Sequence, residues 1–227
     1  MNDECRAIPT WNRVSQEWAS DSAPATLASV VLCGGESRRM GRSKAWLPFG
    51  PERMLQRVVR LVGSVARPIV VVAAPDQELP ELAVDILVVR DPIAGRGPLQ
   101  GLAAGFADLP DPVDLVYATA TDVPFLEPRW IIRLAELIGD HDLAIPFIGE
   151  HYHPLAALYR KDAVISVMED LLSKDRLRAS LIVDAVKTRV VHEAEMCAVD
   201  PELGTLRNLN NPTAYQAALR ASGLSYD

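Results

Sequence analysis

The chain has 227 residues, is 49% hydrophobic and carries a formal net charge of −7. That length suffices for one well-buried α/β domain, and the acidity excludes a general nucleic-acid binder, whose phosphate contacts need broad basic surface. The three cysteines, Cys5, Cys33 and Cys197, form neither a disulfide framework nor a zinc pattern, which suits a reducing cytosol, and no run of about 18 apolar residues is present to span a membrane. A soluble, cytoplasmic protein without nucleic-acid or membrane partners is expected.

Residues 1–26 read as a leader outside the main domain, which is expected to span 27–227. Acids at Asp3, Glu4, Glu17 and Asp21 and the lack of an apolar core argue against a signal peptide. Trp11, Val14 and Trp18 fall at helical spacing, as in a docking helix or a terminal helix folded back on the domain. The apolar run Leu27–Cys33 then predicts a buried strand. It feeds Gly34-Gly35-Glu36-Ser37-Arg38-Arg39-Met40-Gly41-Arg42-Ser43-Lys44, a glycine-rich basic segment. Paired glycines let backbone N–H groups approach phosphate oxygens, and the arginines and lysine offset the charge of a triphosphate. The expected ligand is a nucleotide. The spacing fits neither a P-loop nor the dinucleotide G-x-G-x-x-G fingerprint. From Arg38 to Arg60 seven basic residues face one acid, Glu52; Arg53, Arg57 and Arg60 read as a solvated helix face and the loop residues as phosphate contacts.

Further strands are predicted at Pro68–Ala74, Val84–Arg90 and Val113–Ala120, and amphipathic helices at Glu52–Ala66, Pro98–Leu109 and Glu127–Ile138. Their alternation predicts a Rossmann-like, three-layer α/β/α single domain with a mostly parallel sheet. Strands covered on both faces account for the continuous apolar runs Ile69–Val72 and Ile86–Val89. Ligands of such sheets bind beyond the carboxyl ends of the strands. The third strand ends in Asp91 and Gly95-Arg96-Gly97-Pro98-Leu99-Gln100-Gly101, where Pro98 suits the first turn of a helix and leaves glycine amides facing a ligand. Close packing of helix on sheet explains Gly105. The fourth strand ends in Asp122-Val123-Pro124, a carboxylate on a stiff turn suited to Mg²⁺ on a triphosphate, although aspartate is also a common turn and capping residue.

Beyond Asp140 strands are predicted at His141–Pro146, His153–Tyr159 and Lys187–Val191, with helices at Lys161–Leu172 and Leu177–Ala185. His141, His151 and His153 lack a fixed carboxylate or cysteine partner, so a structural or substrate-contact role is expected over metal ligation. His192-Glu193 has no second histidine for a zinc-protease helix, and no serine or cysteine sits in a nucleophile motif.

The segment Leu32–Lys44 resembles the L-x-G-G-x-S-x-R-M-G-x-x-K signature of the MobA-like nucleotidyltransferases, the family that includes molybdenum cofactor guanylyltransferases. Further likenesses follow in the family's order: Asp91 with Gly97-Pro98-Leu99-Gln100-Gly101, the D-x-P aspartate Asp122, the strand His153-Pro154-Leu155-Ala156-Ala157-Leu158-Tyr159, and Asn208-Leu209-Asn210-Asn211-Pro212. In the last of these Asn211 and Thr213-Ala214 replace the usual threonine and acidic pair, and helix capping explains Asn210 or Asn211 equally well. The resemblance implies GTP and Mg²⁺, molybdopterin as acceptor, and molybdopterin-synthesis or molybdoenzyme-maturation proteins as partners. It assigns the nucleotide to Leu32, Cys33, Gly34, Gly35, Arg39, Lys44, Asp91, Gly97, Pro98 and Asp122, and the acceptor to His153, Asn208 and Asn210. Lys44 would hold the α-phosphate, Arg39 with the Gly34 and Gly35 amides the β- and γ-phosphates, and Asp122 the metal, so Lys44, Asp122 and Arg39 form the expected catalytic set. Gly34 matches the guanine-using pattern L-A-G-G, while cytidine-using relatives have L-A-A-G. Cytidylyl transfer, another small-phosphate nucleotidyl transfer and a non-catalytic nucleotide-binding adaptor are the alternatives.

Overall fold

The computed structural model describes residues 26–34, 43–93 and 95–224; the leader expected at 1–26 lies outside them, except Thr26. In chain order the elements are β1 (Leu27–Leu32), β2 (Pro48–Phe49), β3 (Glu52–Arg53), α1 (Met54–Gly63), β4 (Ile69–Ala73), β5 (Ile86–Arg90), α2 (Pro98–Ala107), β6 (Leu115–Ala120), α3 (Pro128–Ile138), β7 (Leu143–Ile148), β8 (His151–Tyr152), β9 (Ala157–Arg160), α4 (Lys161–Ser173), β10 (Thr188–His192), α5 (Glu193–Cys197) and α6 (Pro212–Ala221). The main sheet runs β10-β7-β9-β6-β1-β4-β5, with β8 pairing β7. Along that path β9 alone is reversed, antiparallel to both β6 and β7, while the other pairs are parallel. The chain leaves β1 for β4 and β5 on one side, then returns to β6 on the other. The crevice beyond the β1 carboxyl end is therefore a topological switch point, where such sheets bind ligands.

Two apolar layers cover the sheet. On one face Leu55, Val58 and Val62 of α1, Trp130, Ile131 and Leu134 of α3 and Met196 of α5 pack with Val31, Val71 and Leu158. On the other, Leu99, Leu102 and Phe106 of α2 and Val164, Met168 and Leu171 of α4 pack with Val30, Val72 and Val116. This is the expected three-layer α/β/α arrangement. A smaller cluster joins Leu47 and Phe49 near β2 to Leu209 and to Tyr215 and Leu219 of α6. The Tyr215 hydroxyl donates to the Pro48 carbonyl.

Five expectations change. The β4 run is buried throughout, but β5 is the last strand of the sheet and Leu87 and Val88 are 40% and 45% exposed. Its apolar run therefore does not mark cover on both faces. The helix expected from Glu52 starts at Met54, because Glu52 and Arg53 pair with Phe49 and Pro48 as a two-stranded hairpin. The strand expected over His153–Tyr159 begins only at Ala157, after a 3₁₀ turn at Pro154–Ala156; Pro154 has no N–H to give a ladder. The helix expected over Leu177–Ala185 is a 3₁₀ segment, Ala179–Asp184. Arg57 is also more than a solvated charge: its Nε donates to Pro124 O at 2.7 Å and its guanidinium lies 4.9 Å from the Phe49 ring centroid.

Helix α2 presses on the sheet through glycine. A Cβ on Gly105 would stand 2.6 Å from Val30 Cγ1 and 2.8 Å from Val72 Cγ2. Gly105→Ala should therefore lower stability by about 1–3 kcal/mol despite the better helix propensity of alanine. Urea unfolding checks this, and a variant as stable as the parent would show that α2 has room to withdraw.

Candidate active site

The carboxyl ends of four adjacent parallel strands open into one cavity of about 600 Å³. β1 contributes Leu32 and then Cys33 and Gly34, β4 contributes Val72 and then Ala74, β5 is followed by Asp91, and β6 contributes Ala120 and then Thr121 and Asp122. Gly97, Pro98 and Gly101 at the head of α2, Lys44, Leu155 and Asn208 complete much of the wall. Gly97 is the N-cap of α2, with φ 88° and ψ 178°, and Pro98 occupies the first turn. That backbone is glycine territory, since a Cβ disfavours φ > 0. Gly101 is small for a packing reason as well, because a Cβ there would lie 3.1 Å from Leu32 Cδ2.

At one side of the cavity stands an ion pair between residues far apart in sequence. Lys44 begins a 3₁₀ turn, Lys44–Trp46, and its Nζ lies 2.7 Å from Asp122 Oδ2 and 2.8 Å from Asn210 Oδ1. The pair is only partly open to solvent, with side-chain exposures of 22% for Lys44 and 11% for Asp122, so screening by water is reduced. Asp122 is held by its backbone. Thr121 N and Oγ1 both donate to Leu32 O, at 3.0 and 3.1 Å, and Leu209 N donates to Asp122 O at 2.9 Å.

The chain after β10 reaches the site through a buried carboxylate. Asp200 accepts from Gly204 N at 3.0 Å and Thr205 N at 2.8 Å, and Thr205 Oγ1 accepts from Glu127 N at 3.1 Å. This fastens residues 200–211 around the 122–127 turn and sets Asn208 at the cavity and Asn210 on Lys44. The ambiguity between Asn210 and Asn211 is resolved by geometry: Asn211 is the N-cap of α6 and accepts from Ala214 N at 2.8 Å. The exposed Arg207 lies beside Asn208, its guanidinium 5.1 Å from the Phe125 ring centroid.

Of the residues expected to bind nucleotide, Leu32, Cys33, Gly34, Lys44, Asp91, Gly97, Pro98 and Asp122 all line this one cavity. Gly35 and Arg39 lie outside the described residues. Among the acceptor residues Asn208 lines it and Asn210 reaches it through Lys44. His153 does not line it. Its Nε2 donates to Ile148 O at 3.1 Å and its backbone N to Pro146 O at 3.0 Å, so it braces the β7–β8 hairpin while Leu155 faces the cavity. His141 Nδ1 bonds Ile138 O, and no group of three or more His, Cys, Asp or Glu among the described residues is placed to hold a metal ion. Among those residues no helix is long and apolar enough to cross a membrane.

The MobA-like NTP transferase domain matches residues 29–188. The chain belongs to this family. It is 39% identical over 174 residues to the probable molybdenum cofactor guanylyltransferase of Mycobacterium tuberculosis H37Rv, covering 74% of this chain and 84% of that one. It is 34% identical over 200 residues to the protein of the same name from Mycobacterium avium, covering 86% and 96%. Its fold matches the crystal structure of molybdopterin-guanine dinucleotide biosynthesis protein A from Archaeoglobus fulgidus with a TM-score of 0.71 and 20% identity, over 87% and 99% of the two chains. As a MobA-like NTP transferase it is a nucleotidyltransferase, and Lys44 and Asp122 stand at the strand ends where its nucleotide site was expected.

Sequence reading missed Gln77, which follows β4 and bonds to the β1 end. No motif surrounds it; the available signal is its place just after a parallel strand whose end lines the site. Thr121 and Leu155, which line the cavity, were not among the expected site residues either: a threonine hydroxyl bonds in many settings, and a leucine carries no polar group.

Cys33 replaces the usual alanine of the family signature. Burial pushes its thiol pKa up, against the pull of hydrogen bonds from Thr121 and Gln77 and the charge of Arg90, so it stays protonated at neutral pH and is a poor nucleophile. Iodoacetamide at pH 8 should modify Cys33 at least ~10-fold more slowly in the folded than in the urea-unfolded protein. Peptide mass spectrometry reads this, and equal rates would place the thiol in open solvent.

Proposed function

We propose that this protein transfers GMP from GTP to the terminal phosphate of molybdopterin carrying molybdenum, giving the guanine dinucleotide cofactor and pyrophosphate. The observation that carries the reading is the Lys44–Asp122 pair at 2.7 Å on the wall of the strand-end cavity. It stands in a chain 39% identical to a probable molybdenum cofactor guanylyltransferase.

The residues present fit a bound Mg²⁺. Such an ion is usually held by one or two carboxylates together with substrate phosphates, and Asp122 Oδ1 accepts no hydrogen bond from any described residue while Oδ2 faces Lys44. When bound there, the ion supplies positive charge to phosphate oxygens and to the leaving pyrophosphate. Asp122 would hold it, and Asp91, which lines the same cavity and whose Oδ1 accepts from Ile93 N at 3.0 Å, would orient its waters or the nucleotide.

An acceptor phosphate oxygen attacks the α-phosphorus in line, the bond to the bridging oxygen breaks, and pyrophosphate leaves with the electron pair. Both reactants are anions, so positioning and neutralisation do most of the work. Lys44 would turn its ammonium from Asp122 to the α-phosphate. Gly34 and Gly97 allow backbone to approach the nucleotide, and Gly35 and Arg39 are assigned the β- and γ-phosphates by the signature they complete. The acceptor would enter beside Asn208, where the neighbouring Arg207 would have to leave the Phe125 ring to meet its phosphate. No general base is required, because a phosphate monoester with a second pKa of about 6 is already ionised at neutral pH.

Lys44→Ala and Asp122→Ala should each lower turnover at least ~100-fold with the fold retained by circular dichroism. Near-parental turnover in either removes that residue from the mechanism, and activity indifferent to EDTA removes the metal role of Asp122. Incubation with Mg²⁺, molybdopterin and each of the four nucleoside triphosphates, followed by mass spectrometry of the product, should give the guanine dinucleotide; the cytosine product would assign cytidylyl transfer. A Cβ on Gly34 would lie 3.4 Å from Ala74 N, an ordinary contact. Gly34→Ala should therefore fold normally yet lose GTP-over-CTP preference, and an unchanged preference would take base selection away from this position.

A further inference from the structure

A single amide holds both described ends of the glycine-rich segment. Gln77 Nε2 lies 3.1 Å from Cys33 O, 3.3 Å from Cys33 Sγ and 3.2 Å from Ser43 Oγ, while its Oε1 accepts from Ala74 N at 3.1 Å. The Ala74 N–H can face only an acceptor, so the amide is oriented with its two N–H groups toward Cys33 and Ser43. Cys33 and Gly34 close one end of the segment, and Ser43 precedes Lys44 at the other. One half-buried side chain thus ties together the end of β1, the end of β4 and the residue before the lysine that faces Asp122.

The clamp is itself braced. Arg90 Nη1 donates to Ala74 O at 3.1 Å and to Gln77 O at 2.6 Å, and Gln77 N donates to Ala74 O at 3.2 Å, so the 74–77 turn is closed before the side chain acts. Two residues past Lys44, Trp46 Nε1 donates to Glu78 O at 3.0 Å, a second stitch between the same two segments. Gln77 does not line the cavity, whereas Cys33, Gly34, Ala74 and Lys44 do.

We propose that Gln77 is a positioning residue for nucleotidyl transfer, setting the distance between the β1 end and the Ser43–Lys44 backbone so that the lysine ammonium meets the α-phosphate. The inference rests on the functional reading above. Displacements near 1 Å around a reacting centre cost up to about 100-fold in rate, and loss of one partly buried amide clamp should cost a fraction of that.

The test is a double-mutant cycle on steady-state turnover of GTP with molybdopterin and Mg²⁺, with pyrophosphate release as the readout. Gln77→Ala should lower kcat about tenfold and leave the KM for the acceptor within about twofold. Ser43→Ala should lower kcat in the same direction, Ser43→Thr, which keeps the hydroxyl, should retain it, and the double variant Ser43→Ala/Gln77→Ala should be no slower than Gln77→Ala alone. A residue that merely stabilised the fold would give losses that multiply. Multiplying losses, a Gln77→Ala kcat within twofold of the parent, or a Ser43→Ala kcat equal to it each overturn the inference. Should Gln77→Ala fail to fold, the Ser43→Ala and Ser43→Thr pair decides alone, since a loss rescued by threonine is what the clamp requires. A parent protein that turns over no nucleoside triphosphate overturns the functional reading and this inference with it; parental turnover with an indifferent Gln77 overturns only the inference.

Discussion

The site depends on β1 and β6 lying side by side in parallel register. Their pairing sets Leu32 opposite Ala120, so both strands stop at the same level and the residues after them emerge together. Thr121 then bonds Leu32 O twice and turns Asp122 over the end of β1. Lys44 is 78 residues away in sequence, yet it meets Asp122 because its own segment leaves the neighbouring strand. A parallel sheet needs crossover connections, and here the crossovers through α1 and α2 both return their chain ends to one edge. Chemistry that no local segment could assemble is thereby concentrated in a single crevice.

Two further pieces of chain convert that crevice into a site. The turn after β4 carries Gln77 behind the cavity wall, and the segment after α5 wraps the Asp122 turn from the other side. The second depends on Asp200, a carboxylate only 8% exposed whose two oxygens accept backbone amides. Burying such a charge costs free energy unless hydrogen bonds replace its water, and those two amides offset part of that cost while setting the approach to Asn208 and Asn210. Leu209, buried in the cluster with Phe49 and Tyr215, pins the same strap by packing. The hairpin β2–β3 and helix α6, peripheral to the main sheet, thus act on the site through one apolar anchor between two asparagines.

Much of this was legible in the sequence where one residue type has few uses. Paired glycines before a basic run, Gly-Pro at a helix start and Asp-x-Pro at a strand end each limit the local backbone, and Gly34, Gly97, Pro98 and Asp122 from these three motifs lie at the cavity. Strand and helix alternation gave the layers for the same reason. The order of strands across the sheet carried no local signal, so β5 read like β4 although one lies at the edge and the other inside. His153 was open to two readings, structural or substrate contact. Histidine also serves as a donor to a stray carbonyl, as it does here to Ile148 O, while Leu155 faces the cavity. Gln77 was silent because its role comes from where β1 and β4 end relative to each other, a property of pairing that no window of sequence contains.

The pairing of Lys44 with Asp122 bears on how an acidic protein accepts a polyanion. In a partly desolvated wall an ammonium and a carboxylate at 2.7 Å offset one another. Removing either partner leaves the other with poorer compensation, which is why the two belong together. On the function proposed above, a nucleoside triphosphate arriving with its divalent cation would supply a partner for each: positive charge for Asp122, a phosphate for Lys44. The internal bond would then be replaced by two intermolecular ones, whereas a metal-free triphosphate would have to break the pair and confront the carboxylate. Preference for the metal complex over the bare nucleotide would then be a property of the pair, to which Asn210 is joined through the same ammonium.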